Sequence, residues 1–325
     1  MSSDPPQEVF NYDYTTPWTV YSLSFSNSPS SPYRLAIGSF TETQHNSIQI
    51  IDKNSENYEC KTQQEVTYPQ TKILFSPDTS GAHSELFASV GDCLRIWQHE
   101  TEISLKSTLV DISKKDFPPP LTSFDWNSTD LTMIGTSSID STCAIWDIER
   151  EEVRAKMIAH DKEAYDIAFA QGVNIFATAG GDGSVRQFDL RNLESSTVLY
   201  ERQDFYPCLR LAWSKLDPNY LATIVMDSST VVILDIRNLS GPVTQLLGHN
   251  SCVNALAWSP VSGNQLLTGS DDHQALIWEI KGQSQSSSPI YSYSIESEIN
   301  NVQRSHINPD WIALAYNRGL KILKI

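Results

Sequence analysis

The stretch GSDDHQALIWE, Gly269 to Glu279, brings two carboxylates, an imidazole and an indole together. Asp271, Asp272 and His273 are of the types that ligate metals or exchange protons. Asp272 with His249 and Ser270 has the composition of a nucleophilic triad, and His249 with Cys252 that of a Cys–His pair. The same residues also suit a tight β-turn, where an Asp side chain accepts backbone N–H bonds. AGGDGS, Ala179 to Ser184, has the glycines of a phosphate loop but lacks the GK[ST] ending and the helix such a loop requires.

The elements around these residues decide between the readings. A run closing on a polar residue recurs as IQIID, LRIWQ, CAIWD, VRQFD, VVILD, ALIWE and LKILK, ending at Asp52, Gln98, Asp147, Asp189, Asp235, Glu279 and Lys324. The intervals are 46, 49, 42, 46, 44 and 45 residues, which is an internal repeat. Each unit carries two further apolar-alternating segments ahead of this run, for example AYDIAFA then IFATAGG, and a more polar one after it, such as RAKMIA or VTQLLG.

Four strands per unit in seven units predict an all-β, seven-bladed β-propeller over residues 1–325. The blades fall at about 18–66, 67–113, 117–160, 161–203, 204–248, 249–295 and 296–325. The last unit lacks a fourth strand, and EVFNYDY, residues 8–14, is expected to supply it and hide an otherwise open edge.

Asp272 precedes Trp278 by six residues, as Asp140 precedes Trp146 and Asp182 precedes Phe188. A feature repeated in several blades serves the blade, so these are read as turn carboxylates with unusual backbone angles allowed beside them. His160 and His249 are expected to reach the carboxylates of Asp182 and Asp272, with a Ser or Thr of the second strand joining. Asp271 and His273 become ordinary turn residues, Cys252 a small buried hydrophobe, and no catalytic residue, metal or cofactor is expected.

Composition bounds the partners. With 23 basic against 39 acidic residues the chain carries −16, which repels phosphate backbones and anionic lipid and favours protein partners with basic segments. Five scattered cysteines without a CxxC indicate neither disulfide framework nor zinc site, and fit a reducing compartment. MSSDPPQEVF has no signal-peptide character and no apolar run is long enough to span a bilayer. Lys114 and REEVRAK are too sparse for a nucleic-acid patch. Ser28, Ser31 and Ser288 precede proline in Pro/Ser-rich loops and are candidates for proline-directed phosphorylation.

PWTVY, RLAIGSF, PLTSFDWN, GTSSIDSTCAIWD, AHDKEAYDIAF, DPNYLATIVMDSSTVVILDIR, DDHQALIWE and EINNVQ…PDWIALAYN resemble the Transparent Testa Glabra family of plant WD-repeat propellers and its animal counterpart, a cullin-ligase-associated WD-repeat factor. The resemblance implies a non-enzymatic, monomeric scaffold of nucleus and cytoplasm. Its implied partners are DYRK-type kinases, or MYB and basic helix-loop-helix transcription factors. Two departures stand out: the segment between WDIE and AHDKE is short, and Arg304 stands where the family usually has Trp. By the same resemblance the narrow face would bind partners through Tyr21, Thr71, Thr122, Glu163, Tyr165, Leu209, Asn254 and Asn300, with Tyr21, Tyr165 and Leu209 as apolar anchors. IFATAGGDGSVRQFDLR resembles a box by which substrate receptors dock on a cullin-ligase adaptor, implying Asp189 and Arg191, and more weakly Asp235 and Arg237. The alternative function is therefore a substrate receptor of a cullin-RING ubiquitin ligase.

Overall fold

Strands of different burial alternate along the chain, and their burial dictates how the sheets stack. The second and third strands of a repeat are enclosed on both faces, as in Leu35–Ser39 and Val231 to Asp235, because neighbouring sheets cover both sides. Outer strands such as Glu152–Ile158 alternate between exposed and half-buried, since there the sheets splay apart. The computed structural model describes residues 10–81, 85–111, 118–280 and 288–325. Residues 8 and 9 of the expected closing strand, Lys114, and most of the SKKDFPPP and KGQSQSSSP loops lie outside the described residues.

Twenty-eight strands form seven four-stranded antiparallel sheets among the described residues, with no helix. The inner strands are Val20–Phe25, Lys72–Phe75, Leu121–Trp126, Ala164–Phe169, Cys208–Trp213, Val253–Trp258 and Ile299–Arg304. Each packs on the next and the last on the first, which closes the ring of a seven-bladed β-propeller. The core is divided into seven apolar clusters, each shared by two adjacent blades. Gly269 is required at one such seam: a Cβ there would lie 2.5 Å from Ile299 Cγ2 of the next blade.

The N-terminal strand Asn11–Thr15 pairs antiparallel with Gly319–Lys324, from Asn11 opposite Leu323 to Thr15 opposite Gly319. Tyr12 stacks on Trp311 with ring centroids 5.9 Å apart, and Phe10 and Tyr14 pack against the same cluster. The last blade is thus completed by the first strand, and its edge is covered.

Six inner strands carry a register shift at their start, skipping Tyr21, Thr122, Tyr165, Leu209, Asn254 and Asn300. In the second blade Thr71 immediately precedes the strand. A β-bulge re-aims its extra side chain out of the sheet's alternation. These are the narrow-face positions of the sequence reading, and they lie on the face where the chain enters each inner strand, here called the top face.

Candidate functional site

The turn carboxylates and histidines form closed networks. His249 Nδ1 lies 2.9 Å from Asp272 Oδ2 and its Nε2 lies 2.7 Å from Thr268 Oγ1, which accepts the Trp278 indole N–H at 2.9 Å. The neutral imidazole protonated on Nδ1 satisfies every partner, with the Thr268 hydroxyl donating to Nε2. Burial pushes His249 below its ordinary pKa, outweighing the opposing pull of Asp272. Burial alone would raise Asp272, but the Asn250 N–H, His249 and the Gln274 N–H bring it below the usual carboxylate range.

His160 repeats the arrangement with Asp182 at 3.0 Å and Thr178 at 2.8 Å, while Phe188 in the aromatic position stacks on Phe176. A third blade keeps the Trp146 N–H on Thr136 at 2.9 Å, with Asp140 accepting from Thr142. The hydroxyl of the network is therefore Thr268. Ser270, the residue that completed a triad in sequence, instead donates to the Ser251 carbonyl and accepts the Asp272 N–H. Positive φ falls on the residue after the turn Asp, at Ser141 (68°), Gly183 (80°) and His273 (66°), rather than on the Asp. Cys252 is half-buried rather than buried, and all five cysteines are free thiols. Among the described residues no group of three or more His, Cys, Asp or Glu is placed to hold a metal.

The top-face positions divide into two kinds. Thr71, Thr122, Asn254 and Asn300 each reach a backbone carbonyl of the next inner strand: Leu121 at 3.3 Å, Ala164 at 2.6 Å, Ile299 at 2.9 Å and Val20 at 3.3 Å. These polar bulge residues tie neighbouring blades together around the ring. Tyr21, Tyr165 and Leu209 are half-buried. Tyr21 packs on Phe40 and its hydroxyl accepts from Arg210 across the channel at 3.0 Å. Tyr165 borders Gly181, and exposed Glu163 stands beside it.

Sequence reasoning did not single out the most exposed aromatic residues of this face. Phe205 and Tyr206 are 61% and 50% exposed, and Phe40, Tyr68 and Ile139 also protrude from its loops. Phe205 has φ 57°, a conformation costly for a bulky side chain. Its backbone lies against Gly183, one turn from the Gly181 that Tyr165 borders. Of the acids in nearby loops, Asp161 is paired with Arg186 and Asp204 with Arg202, while Glu163 is exposed. The signal in sequence was the pair of aromatics in RQDFYP, a loop with no strand alternation.

The adaptor-docking candidates lie on the bottom face, after the third strands. Each arginine is held by the acid two residues earlier: Arg191 with Asp189 at 2.5 Å and Arg237 with Asp235 at 2.6 Å. Arg191 holds the Asp189 carboxyl down at about 2. Both guanidiniums remain largely exposed. Of the Ser-Pro serines, Ser288 is exposed and Ser31 half-buried, but Ser28 is buried with its hydroxyl on Ser30, which removes it as a modification candidate in the folded chain.

Comparison with known proteins agrees with this geometry. A model described as WD domain, G-beta repeat matches residues 151–189 and 240–279, the segments that hold the two His–Asp networks. The chain is 47% identical over 320 residues to the DDB1- and CUL4-associated factor 7 homolog of Dictyostelium discoideum, covering 97% of this chain and 98% of that one. An uncharacterized WD repeat-containing protein of Schizosaccharomyces pombe is 32% identical over 388 residues, covering 96% of this chain and 89% of the relative. A WD repeat-containing protein of Saccharomyces cerevisiae is 36% identical over 285 residues, 76% of this chain and 54% of the relative.

Proposed function

We propose that this chain, which belongs to the WD-repeat family of the DDB1- and CUL4-associated factor 7 homolog, is a non-catalytic scaffold that assembles protein partners on its top face. The observation that carries the reading is Phe205: an aromatic side chain both exposed and held at positive φ, next to exposed Tyr206, on the face that also carries Tyr165 and Leu209. Burying such aromatic residues drives association, and the net charge of −16 favours a segment with basic residues flanking apolar anchors. The family resemblance makes DYRK-type kinases, or MYB and basic helix-loop-helix transcription factors as in the Transparent Testa Glabra proteins, the partner classes. The reading places a monomer in cytoplasm and nucleus, where its five thiols stay reduced.

The test is binding of a DYRK-type kinase to Phe205→Ser/Tyr206→Ser and to Tyr165→Ala/Leu209→Ala. Loss of about 2 kcal/mol of anchor energy weakens binding roughly thirtyfold. Undiminished binding to both double variants would move the site off the top face.

A second reading, substrate receptor of a cullin-RING ligase, is favoured by the exposed Arg191 and Arg237 on the opposite face and by the name of the Dictyostelium relative. Arg191→Asp with Arg237→Asp then abolishes co-purification of the ligase adaptor while kinase binding persists. Retention of the adaptor by this variant refutes docking through these residues.

A further inference from the structure

The inner strands of six blades end on an aromatic residue: Phe25, Phe75, Trp126, Phe169, Trp213 and Trp258. The seventh ends on Arg304, at the same register, opposite Ile312 as Trp258 is opposite Leu266. Its Nε and Nη1 are buried and have no hydrogen-bond partner among the described residues. Arg304 lines the central channel, a cavity of about 300 Å³, at its bottom mouth beside His306 and Lys215. Four fixed cations line the channel, Lys72, Arg210, Lys215 and Arg304, against two carboxylates, Asp125 and Asp166. Four minus two leaves +2, inside a chain of net charge −16.

The two carboxylates are committed to the other cations. Asp166 lies 3.4 Å from Lys72, and Asp125 lies 3.3 Å from Lys215. Arg210 hydrogen-bonds Tyr21. Arg304 has no acid within ion-pair distance among the described residues, and its packing lowers its pKa despite distant Asp310. Burial depresses His306 and Lys215 lowers it further, which places the two groups within electrostatic reach. An unpaired guanidinium in a narrow, partly desolvated cavity is costly, and its field is focused along the channel.

We propose that the bottom mouth of the channel binds a small phosphate-class anion at Arg304, beside Lys215 and His306. Asp125 offsets Lys215, so the surplus at this mouth is the single charge of Arg304, whose guanidinium suits an oxyanion. The cavity has the volume of roughly ten waters, enough for one such group with its remaining hydration. The site is independent of the top face and of its partners.

The test is thermal unfolding of the full chain in sodium phosphate and in sodium sulfate, each against sodium chloride at matched ionic strength. A site on the folded state gives a saturable rise in Tm, about 4 °C at a hundredfold excess over the dissociation constant. Arg304→Trp, which continues the aromatic pattern of the other blades, and Arg304→Gln, which keeps the polar stem, both lose the saturable rise. Lys215→Gln shifts its midpoint at least tenfold to higher concentration. Phosphate and sulfate also stabilise proteins by exclusion, an effect that is linear and shared by all variants. A wild-type response that is linear, or one equal in Arg304→Trp, overturns the proposal. A saturable response to phosphate but not to sulfate supports it and identifies a phosphate-specific source.

Discussion

Replacing Asp272 with alanine should destabilise the propeller by about 2–5 kcal/mol without removing any chemistry. The carboxylate, 5% exposed, accepts from His249 Nδ1 at 2.9 Å, Asn250 N at 2.8 Å and Gln274 N at 3.0 Å. The histidine N–H is enclosed, so losing its acceptor costs about 1–3 kcal/mol. The two amides lie at the surface, where water replaces the carboxylate and each loss is roughly 0.5–1 kcal/mol. For a chain of this size the total corresponds to a fall in Tm of about 3–7 °C, readable by differential scanning fluorimetry. Asp272→Asn keeps an acceptor but loses the charge, and should recover about half of the fall. A Tm within about 1 °C of wild type for Asp272→Ala would refute the reasoning, and loss of a bound metal without loss of stability would replace it with the metal-site reading.

Thr268→Val strands both the Trp278 N–H and His249 Nε2 and should cost about 2–5 kcal/mol by urea unfolding, more than Ser270→Ala, which loses the bond to the Ser251 carbonyl and the one accepted from the partly exposed Asp272 N–H. Equal effects would mean that the hub is misplaced. Deleting residues 1–16 uncovers the edge of Gly319–Lys324 and removes three rings from the cluster around Trp311, so the protein should self-associate on size-exclusion chromatography; an unchanged monomer with unchanged Tm contradicts closure by that strand. Stability should also fall on acidification through the His249 site: its folded pKa is depressed, so the contribution is complete above about 6.5, the unfolded value, and is lost as pH falls toward the folded one. Chemical unfolding of wild type and His249→Gln between pH 7.5 and 5 checks this, with a flatter profile expected in the variant.

The propeller was legible because its period survives in every blade, even where the signature residues do not. The segments matched by the WD-repeat model are the two whose histidine is present, whereas LKILK and IQIID carry the period without it. The hub was less legible. Ser270 and Thr268 lie on the same side of one strand, and only depth in the sheet separates them. The regularity was nonetheless present, since Thr136, Thr178 and Thr268 each stand ten residues before Trp146, Phe188 and Trp278. The bulges left no trace in composition, because a bulge is a property of register between strands. That is why the inter-blade bonds of Thr71, Thr122, Asn254 and Asn300, expected as recognition groups, were not legible in the sequence. Phe205 was invisible for a related reason: aromatic residues in a sequence default to core, and only the fold shows that Phe205 and Tyr206 of RQDFYP are exposed.

The pairing of Asn11 with Leu323 also sets a schedule. The strand that closes the ring emerges from the ribosome first, and its partner more than 300 residues later. At ordinary elongation rates it waits roughly 15–60 s, unpaired, with Phe10, Tyr12 and Tyr14 uncovered. During that interval each new blade gains a neighbour on one side only, and the growing chain presents a moving open edge. A nascent-chain chaperone that shields the first strand should therefore raise the yield of closed rings more than one that acts on the finished chain.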